Sequence, residues 1–448
     1  MKRLLIANRA EIAVRIARTA RSMGIETVAV VSEADRDALI TEMVDAVALI
    51  GPAPAAQSYL AQDAILAAAK EFGADAVHPG YGFLSENAGF ARRVIEAGLT
   101  WVGPDPTTIE LMGDKARAIV AARAAGVPTL PGSDGALSDD DDAAAAADAV
   151  GFPLLIKARA GGGGRGIRLV RAPDEFAEAL SIARSEARAS FGDDAVYLER
   201  FVSNARHVEV QILGDGHDAI HLGDRDCSLQ RRSQKVLEEA PAPDLPDATR
   251  ERIRQSSVDL ARACGYSGAG TVEFLFDPSS GEAFFIEMNT RLQVEHPVTE
   301  ALTGLDLVAE QLRIADGGGL PLAQDEVRLT GHAIECRINA EDPDRGFFPS
   351  PGTIERFTWP EGVRVDAGFR TGSVVTPFYD SLVAKLIVHA ADREAAISAL
   401  QVAVDETRVD GIRTTLPLHR ALVRAAAFRD VAHYTTFIEA EPEAWTLS

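Results

Sequence analysis

Three cysteines in 448 residues, Cys227, Cys264 and Cys336, are too few and too far apart for a disulfide framework or a thiolate metal site. That usage fits a reducing cytoplasm. Basic residues are also scarce: 45 Lys and Arg stand against 67 Asp and Glu, a net charge of −22. A nucleic-acid partner needs a basic face, so the balance argues against one. No apolar run reaches the length of a membrane span. The apolar part of Met1-Lys2-Arg3-Leu4-Leu5-Ile6-Ala7 is too short for the core of a signal peptide. Two phosphate fingerprints are missing. The first β-α turn, Ala7-Asn8-Arg9-Ala10-Glu11, lacks Gly-x-Gly-x-x-Gly, which discounts NAD binding, and Gly-x-x-x-x-Gly-Lys-Ser/Thr occurs nowhere. No internal repeat is visible. The remaining composition is that of an ordinary soluble globular protein, long enough for two or three domains.

The pattern along the chain begins as α/β. Apolar β-type runs cover 3–8 and 27–32, with an amphipathic helix between Glu11 and Met23. Ile12, Ile16 and Ala20 fall on one face of that helix, and Glu11, Arg15, Arg18 and Arg21 largely elsewhere. Helices near 61–72 and 87–97 alternate with strands at Ala76–His78 and Thr100–Val102, as in a parallel α/β domain of about 110 residues. A Gly-, Asp- and Ser-rich loop from Pro131 leads through four consecutive Asp into a poly-Ala helix, read as a solvated helix N-terminus. A small β-rich module is expected from about 131 to 203. A long segment follows, and then a final α/β segment from about 331.

The most informative feature is a hairpin carrying two glutamates. Thr271-Val272-Glu273-Phe274-Leu275-Phe276 and Ala283-Phe284-Phe285-Ile286-Glu287-Met288-Asn289 flank the turn-like stretch Asp277–Glu282. A turn centred near Ser280 sets Glu273 opposite Glu287 and Thr271 opposite Asn289. Alternation then puts Glu273, Glu287 and Asn289 on one face, in apolar surroundings. Facing carboxylates repel unless a hard cation lies between them, and an amide oxygen is a further ligand for it. Arg291, Gln293, Glu295 and His296 follow at once. The alternative is a half-solvated strand face.

Other segments are suggestive singly. Lys157-Ala158-Arg159-Ala160-Gly161-Gly162-Gly163-Gly164-Arg165-Gly166 suits phosphate, because glycines let backbone amides approach an anion; the alternative is a flexible turn. Tyr197–Val202 reads as a strand entering a loop. His207, on an alternating strand, is more often structural than a ligand contact. The charged run Asp224–Lys235 lies between apolar strands and is either a solvated loop or an oxyanion site. His78–Asn87 is a Gly/Pro turn with aromatics. Alternation from Gly331 sets Glu335, Arg337 and Asn339 on one face.

Together these segments resemble the biotin carboxylases of the ATP-grasp superfamily, in order and over essentially the whole chain. The matching motifs are the glycine loop with Lys157, the stretch RRSQKVLEEAPAP from Arg231, EMNTRLQVEHPVTE from Glu287, GHAIECRINAEDP from Gly331, HPGYGFLSEN from His78 and MGDK ending at Lys115. The resemblance implies a mixed α/β and α+β fold. A Rossmann-like parallel N-terminal domain would cover 1–112. An ATP-grasp domain would cover 113–330, with a moving lid at about 131–203, and a C-terminal α/β domain 331–448. It implies ATP contacts from Lys115, Lys157, Gly163, Gly164, Glu199, Arg200, Phe201, Val202, His207, Gln230, Ser233, Glu273 and Glu287. Mg²⁺ or Mn²⁺ would be held by Glu273, Glu287 and Asn289. Bicarbonate would meet Lys235, Arg291, Val294, Glu295 and Arg337, with Glu295 as its base. Biotin would meet Tyr81 and Arg337. Lys235, Arg291, Glu295 and Arg337 form the catalytic set.

Three departures from the family pattern stand out. Ala10 replaces a usual Gly, Arg159-Ala160 precedes only four glycines, and Ser233 stands where His or Asn is common. The implied reaction is ATP- and bicarbonate-dependent carboxylation of biotin, in the cytoplasm, by a homodimer. The chain has no Ala-Met-Lys-Met biotinyl site and no carboxyltransferase. A separate biotin carboxyl carrier protein and carboxyltransferase are therefore the expected partners, within an acetyl-CoA carboxylase first of all. A propionyl-CoA or urea carboxylase, another ATP-grasp ligase, and a regulator without catalysis are the alternatives.

Overall fold

The fold was obtained as a computed structural model, which describes residues 1–133, 135, 137, 140–158, 167–191 and 194–445. Five short strands, β1 (Arg3–Ile6), β2 (Glu26–Val31), β3 (Ala46–Leu49), β4 (Ala76–His78) and β5 (Thr100–Trp101), form a parallel sheet in the order β3-β2-β1-β4-β5. Helices α1 (Ala10–Ser22), α2 (Gln62–Glu71) and α3 (Ala88–Glu96) alternate with them. The expected elements of this region are all present. Strand β3 is an addition. It is an edge strand whose larger side chains, Val47 and Leu49, face out while Ala48 faces in, so its pattern is inverted.

Helix α1 corrects the amphipathic picture. Ile12, Ile16 and Ala20 enter the core as expected, but Glu11 and Arg15 are buried as well. Arg15 bonds Glu300 at 2.7 Å and Asp306 at 2.8 Å. The polar face of α1 packs on later parts of the chain, and ion pairs replace the solvent there.

Helices α4 (Pro106–Gly113) and α5 (Lys115–Ala124) lead to a small unit of α6 (Asp140–Val150), β6 (Leu154–Ala158), β7 (Ile167–Val170), α7 (Phe176–Phe191) and β8 (Val196–Arg200). Its antiparallel sheet runs β7-β6-β8, and α6 and α7 pack against it. The module expected to be β-rich is α+β. Phe176 and Leu180 of α7 share a core with Leu154, Ile156 and Leu198, which makes the helices half of the unit.

The third body is one antiparallel sheet. β9 (Arg206–Asp215), β10 (Ala219–Arg231), β11 (Gln234–Ala240), β12 (Ser267–Asp277), β13 (Glu282–Asn289) and β14 (His332–Asn339) join the strands Leu382–Ala390 and Arg364–Ala367. The order is β13-β12-β9-β10-β11-β14, then Leu382–Ala390, then Arg364–Ala367. Hydrogen bonding therefore continues from β11 to β14 across position 331 without a break. Helices α8 (Asp247–Ala263), α9 (His296–Thr303), α10 (Leu307–Ala315) and α11 (Arg393–Glu406) pack on the sheet. Among the described residues, no helix is long and apolar enough to cross a membrane.

Candidate active site

The β12–β13 hairpin has the expected register, with Thr271 opposite Asn289 and Glu273 opposite Glu287. Asp277 closes the turn: its carboxylate accepts from the Ser279 N–H at 2.9 Å and the Ser280 hydroxyl at 3.0 Å, and Gly281 takes a left-handed φ of +71°. The pairing shifts by one between Glu273–Glu287 and Phe274–Phe285, leaving Ile286 as an extra residue. This bulge sorts the faces. Strict alternation would put Phe285 on the same face as Glu287. With the bulge, Ala283, Phe285 and Met288 enter the core with Val272, Phe274 and Phe276, and the glutamates face the other way.

That other face is charged, not apolar as the flanking residues implied. Lys235 of β11 bonds Glu209 at 2.6 Å, Glu273 at 2.9 Å and Glu295 at 2.6 Å. Glu273 also accepts from Asn289 and Gln293, each at 2.8 Å, and lies 3.1 Å from His207 Nε2. Burial opposes its ionisation, yet Lys235 and His207 hold it well below the usual carboxylate range. Arg225, fully buried on β10, bonds Glu209 at 2.6 Å, Gln211 at 2.7 Å and Gln293 at 2.9 Å. It anchors both the strand and the loop that carries Arg291 to Glu295.

Glu295 links two cations. One oxygen takes Lys235, and the other takes Arg337 at 2.9 Å. Arg337 in turn bonds Glu238 at 2.6 Å. Its partners come from β11 and the Glu295 loop, not from Glu335 and Asn339 on its own strand. Burial raises the Glu295 carboxyl, but Lys235 and Arg337 bring it below its ordinary value despite Glu209 nearby. Arg291 bonds Glu86 at 2.9 Å and the Asn289 Oδ1 at 2.9 Å. The Val294 carbonyl accepts from Lys385 at 2.7 Å.

The other sequence-predicted residues are spread around this cluster. The Lys115 Nζ lies 3.6 Å from Glu287, whose side chain is 38% exposed. Tyr81 is tied through its hydroxyl to Glu11. Gln230 turns back to the Cys227 carbonyl at 2.8 Å. Ser233 and Arg232 form the two-residue turn joining β10 to β11, both left-handed, with Ser233 exposed. Lys157 and Glu199 pair with each other on the smaller sheet. The Arg200 and Phe201 N–H groups bond Pro131 and Pro153 carbonyls at 2.8 and 3.0 Å. Among the described residues the Val202 N–H meets no acceptor. Gly163 and Gly164 lie outside the described residues. Sequence reading did not single out Glu86, Glu209, Arg225, Glu238 or Lys385. Polar residues between apolar neighbours on Arg206–Gln211 were the only sign of Glu209.

Among the described residues, two sets of ligand-type side chains each bring their atoms within 4.8 Å of one another, His207–Glu209–Glu273 and Glu209–Cys227–Glu295. The Lys235 ammonium already serves as the cation for both. Glu287 is different. It faces Glu273 in register, is half-open, and meets Lys115 only at 3.6 Å. Hard oxygen donors from Glu273 and Glu287 fit a divalent cation there. The Asn289 oxygen is engaged by Arg291. A cleft beside Lys235 and Arg337 also takes in Arg231, Gln234 and Phe347, with Arg231 stacked 4.0 Å over the Phe347 ring.

Family comparisons agree with the geometry along the chain. Residues 1–109 match the biotin carboxylase N-terminal domain, 114–323 the ATP-binding domain of the carbamoyl-phosphate synthase L chain, and 335–440 the biotin carboxylase C-terminal domain. The chain is 54% identical over 432 residues to a biotin carboxylase of Pseudomonas aeruginosa, covering 96% of each. Among solved structures, it resembles the biotin carboxylase domain dimer of Hydrogenobacter thermophilus 2-oxoglutarate carboxylase, in complex with MgADP, ADP and bicarbonate (46% identity, 100% and 99% coverage, TM-score 0.88). It also resembles a biotin carboxylase from Campylobacter jejuni in complex with a β,γ-ATP ligand (44% identity, 98% and 99% coverage, TM-score 0.89).

Proposed function

The chain belongs to the biotin carboxylase family, and from that premise we propose that it carboxylates biotin borne on a separate carrier protein, consuming ATP and bicarbonate. The observation that carries the reading is Glu295, a buried carboxylate bridging Lys235 and Arg337 beside the facing Glu273 and Glu287.

Bicarbonate would sit among Lys235, Arg291, the Val294 backbone and Arg337, its charge met by three cations. Glu295, kept ionised by Lys235 and Arg337 against its burial, takes the bicarbonate proton. The freed oxygen forms a bond to the γ-phosphorus while the bond to the ADP oxygen breaks, giving carboxyphosphate and ADP. Glu273 and Glu287 would hold Mg²⁺ or Mn²⁺, which supplies charge neutralisation at the phosphates. Lys115, which lies 3.6 Å from Glu287, and Lys157 would bind phosphate oxygens as well. Carboxyphosphate then breaks down to CO₂ and phosphate. The phosphate removes the ureido N–H proton of biotin, Arg337 neutralises the oxyanion that results, and the nitrogen bonds the carbon of CO₂. Carboxyphosphate hydrolyses readily, so closure by the lid at about 131–203 serves to exclude water.

On this reading the adenine lies against Glu199 to Val202, where the Val202 N–H, which meets no acceptor among the described residues, is a donor, with His207, Gln230 and Ser233 near the nucleotide. Tyr81 lies toward biotin. The segments 1–112, 113–330 and 331–448 serve as the three domains. The chain works in the cytoplasm as a homodimer, as the dimeric Hydrogenobacter relative supports, with a carboxyltransferase as the second enzyme and acetyl-CoA as the first candidate acceptor. The test is phosphate release by the purified protein. ATP cleavage should require bicarbonate and a divalent cation and be strongly accelerated by biotin. No bicarbonate-dependent release with every component present would overturn the reading.

A further inference from the structure

Behind Arg337 lie two carboxyl groups that the chemistry above does not use. Glu238 of β11 and Glu335 of β14 are direct partners in the antiparallel register, and both are 0% exposed. Side chains at paired positions have Cβ atoms about 4.5–5.5 Å apart. One oxygen of Glu238 takes both the Nε and the Nη2 of Arg337 at 2.6 Å. Among the described residues its other oxygen has no hydrogen-bond partner, and neither oxygen of Glu335 has one.

The charges around the pair do not fill these gaps. Lys235 and Glu295 face it from the site, Arg337 from β14, and Lys385 from the neighbouring strand, with the buried thiols of Cys227 and Cys336 close by. Lys385 spends its ammonium on the Val294 carbonyl at 2.7 Å and on Glu11 of α1 at 3.3 Å. Both being 0% exposed, two anions here would repel unscreened by bulk solvent and leave three oxygens unpaired, a costly arrangement for buried charge. One shared proton removes the repulsion and supplies an O–H to donate across the ladder. Burial pushes both carboxyls above the usual carboxylate range.

We propose that Glu238 and Glu335 form a one-proton carboxyl dyad that positions Arg337, presenting it with one negative charge from behind so that its outer N–H groups stay on Glu295 and the substrate. The inference rests on the role given to Arg337 above. Both glutamates are positioning residues, since neither reaches the reacting atoms. Loss of the shared proton at alkaline pH adds a second negative charge behind Arg337 and draws it back.

Glu335→Gln fixes the uncharged form at that position. Its kcat at neutral pH should stay within about threefold of wild type, and the alkaline fall in kcat should move to higher pH. Glu238→Gln removes the charge Arg337 needs and should lower kcat for biotin carboxylation about tenfold or more with KM for ATP unchanged. Infrared spectra give a readout independent of turnover. The wild type should show a protonated-carboxyl C=O band above the amide I region that Glu335→Gln lacks. If that variant does not fold, the same band in ¹³C-glutamate wild type should titrate away at alkaline pH. Absence of the band, or Glu335→Gln about tenfold slower at neutral pH with an unmoved alkaline limb, would show Glu335 ionised and overturn the dyad. A wild type without biotin-stimulated ATP cleavage would instead overturn the functional reading and leave the infrared test standing.

Discussion

Glu295 and Arg337 touch each other at 2.9 Å, yet their proposed roles fall on opposite sides of carboxyphosphate formation. Glu295→Gln removes the base and should abolish both bicarbonate-dependent ATP cleavage and biotin carboxylation. Arg337→Ala should retain more of the first activity than of the second, because the oxyanion appears only after carboxyphosphate has formed. Equal losses of both in Arg337→Ala would refute that division. Ser233 tests a different kind of residue. It is exposed at a left-handed turn position, φ +62°, which Asn adopts readily. A neutral hydrogen bond gained or lost is worth about 0.5–1.5 kcal/mol, roughly two- to twelve-fold in affinity. Ser233→Asn, Ser233→His and Ser233→Ala should therefore shift KM for ATP modestly and leave the maximal rate within a few-fold. A hundred-fold loss of rate in Ser233→Ala at unchanged KM, in ATP titrations at saturating bicarbonate and biotin (about 2.7 kcal/mol), would make Ser233 catalytic. Ala10, a second departure from the family pattern, also sits at positive φ, +54°, where a glycine would be unstrained.

The hairpin of β12 and β13 sets the scale of an element. Its two glutamates were expected to repel unless a cation intervened. The structure offsets that repulsion at Glu273 with Lys235, Asn289 and Gln293, while among the described residues Glu287 keeps only the more distant Lys115. Glu287→Gln should thus leave the hairpin and its denaturation midpoint nearly unchanged, since that carboxylate is half-exposed. It should weaken metal–nucleotide binding and nearly abolish turnover. Wild-type turnover of this variant at limiting Mg²⁺ would refute the cation site. The Ile286 bulge explains why the site face is legible only in part. The run Ala283-Phe284-Phe285-Ile286-Glu287 has no period of two, and an extra residue cannot be told from an irregular strand without the partner strand beside it.

The whole molecule shows in its response to acid. His78 and His419 are fully buried, and burial lowers them to about 3 and about 4. A histidine with a depressed pKa favours the folded state while neutral. Its contribution is therefore full above the unfolded value near 6.5 and is lost as pH falls below it. Each adds a slope of up to about 1.4 kcal/mol per pH unit there. Asp226 acts further down. Burial opposes its charge, but Arg206 and His433 hold it far below 3.8, so its contribution is present above that value and fades beneath it. Ring NMR spectra should show both imidazoles still neutral at pH 5, where an exposed histidine is charged, and urea midpoints should fall near 3.8 and below as Asp226 is protonated. Imidazolium signals from either ring at pH 5 would show it not buried neutral.

Local chemistry determined much of this protein in advance. The 3.6- and 2-residue periods marked the N-terminal strands and helices, turn residues located the hairpin, and composition argued against nucleic acid, disulfides and membrane spans. The register of Glu273 and Glu287 followed too, because a hairpin's pairing depends on residues close in sequence. Tertiary structure decided the rest. Glu209, Lys235, Glu295 and Arg337 meet because four separated segments supply one sheet face and its adjoining loop, and no local pattern encodes which strands become neighbours. Burial of Glu11 and Arg15 is equally non-local: their charges read as lying off the apolar face until ion partners from as far away as Glu300, 2.7 Å from Arg15, are brought in. The sheet that continues across position 331 made β11 and β14 neighbours, and with them Glu238 and Glu335. A carboxylate's charge and pKa depend on what surrounds it in space, and only the folded chain fixes that.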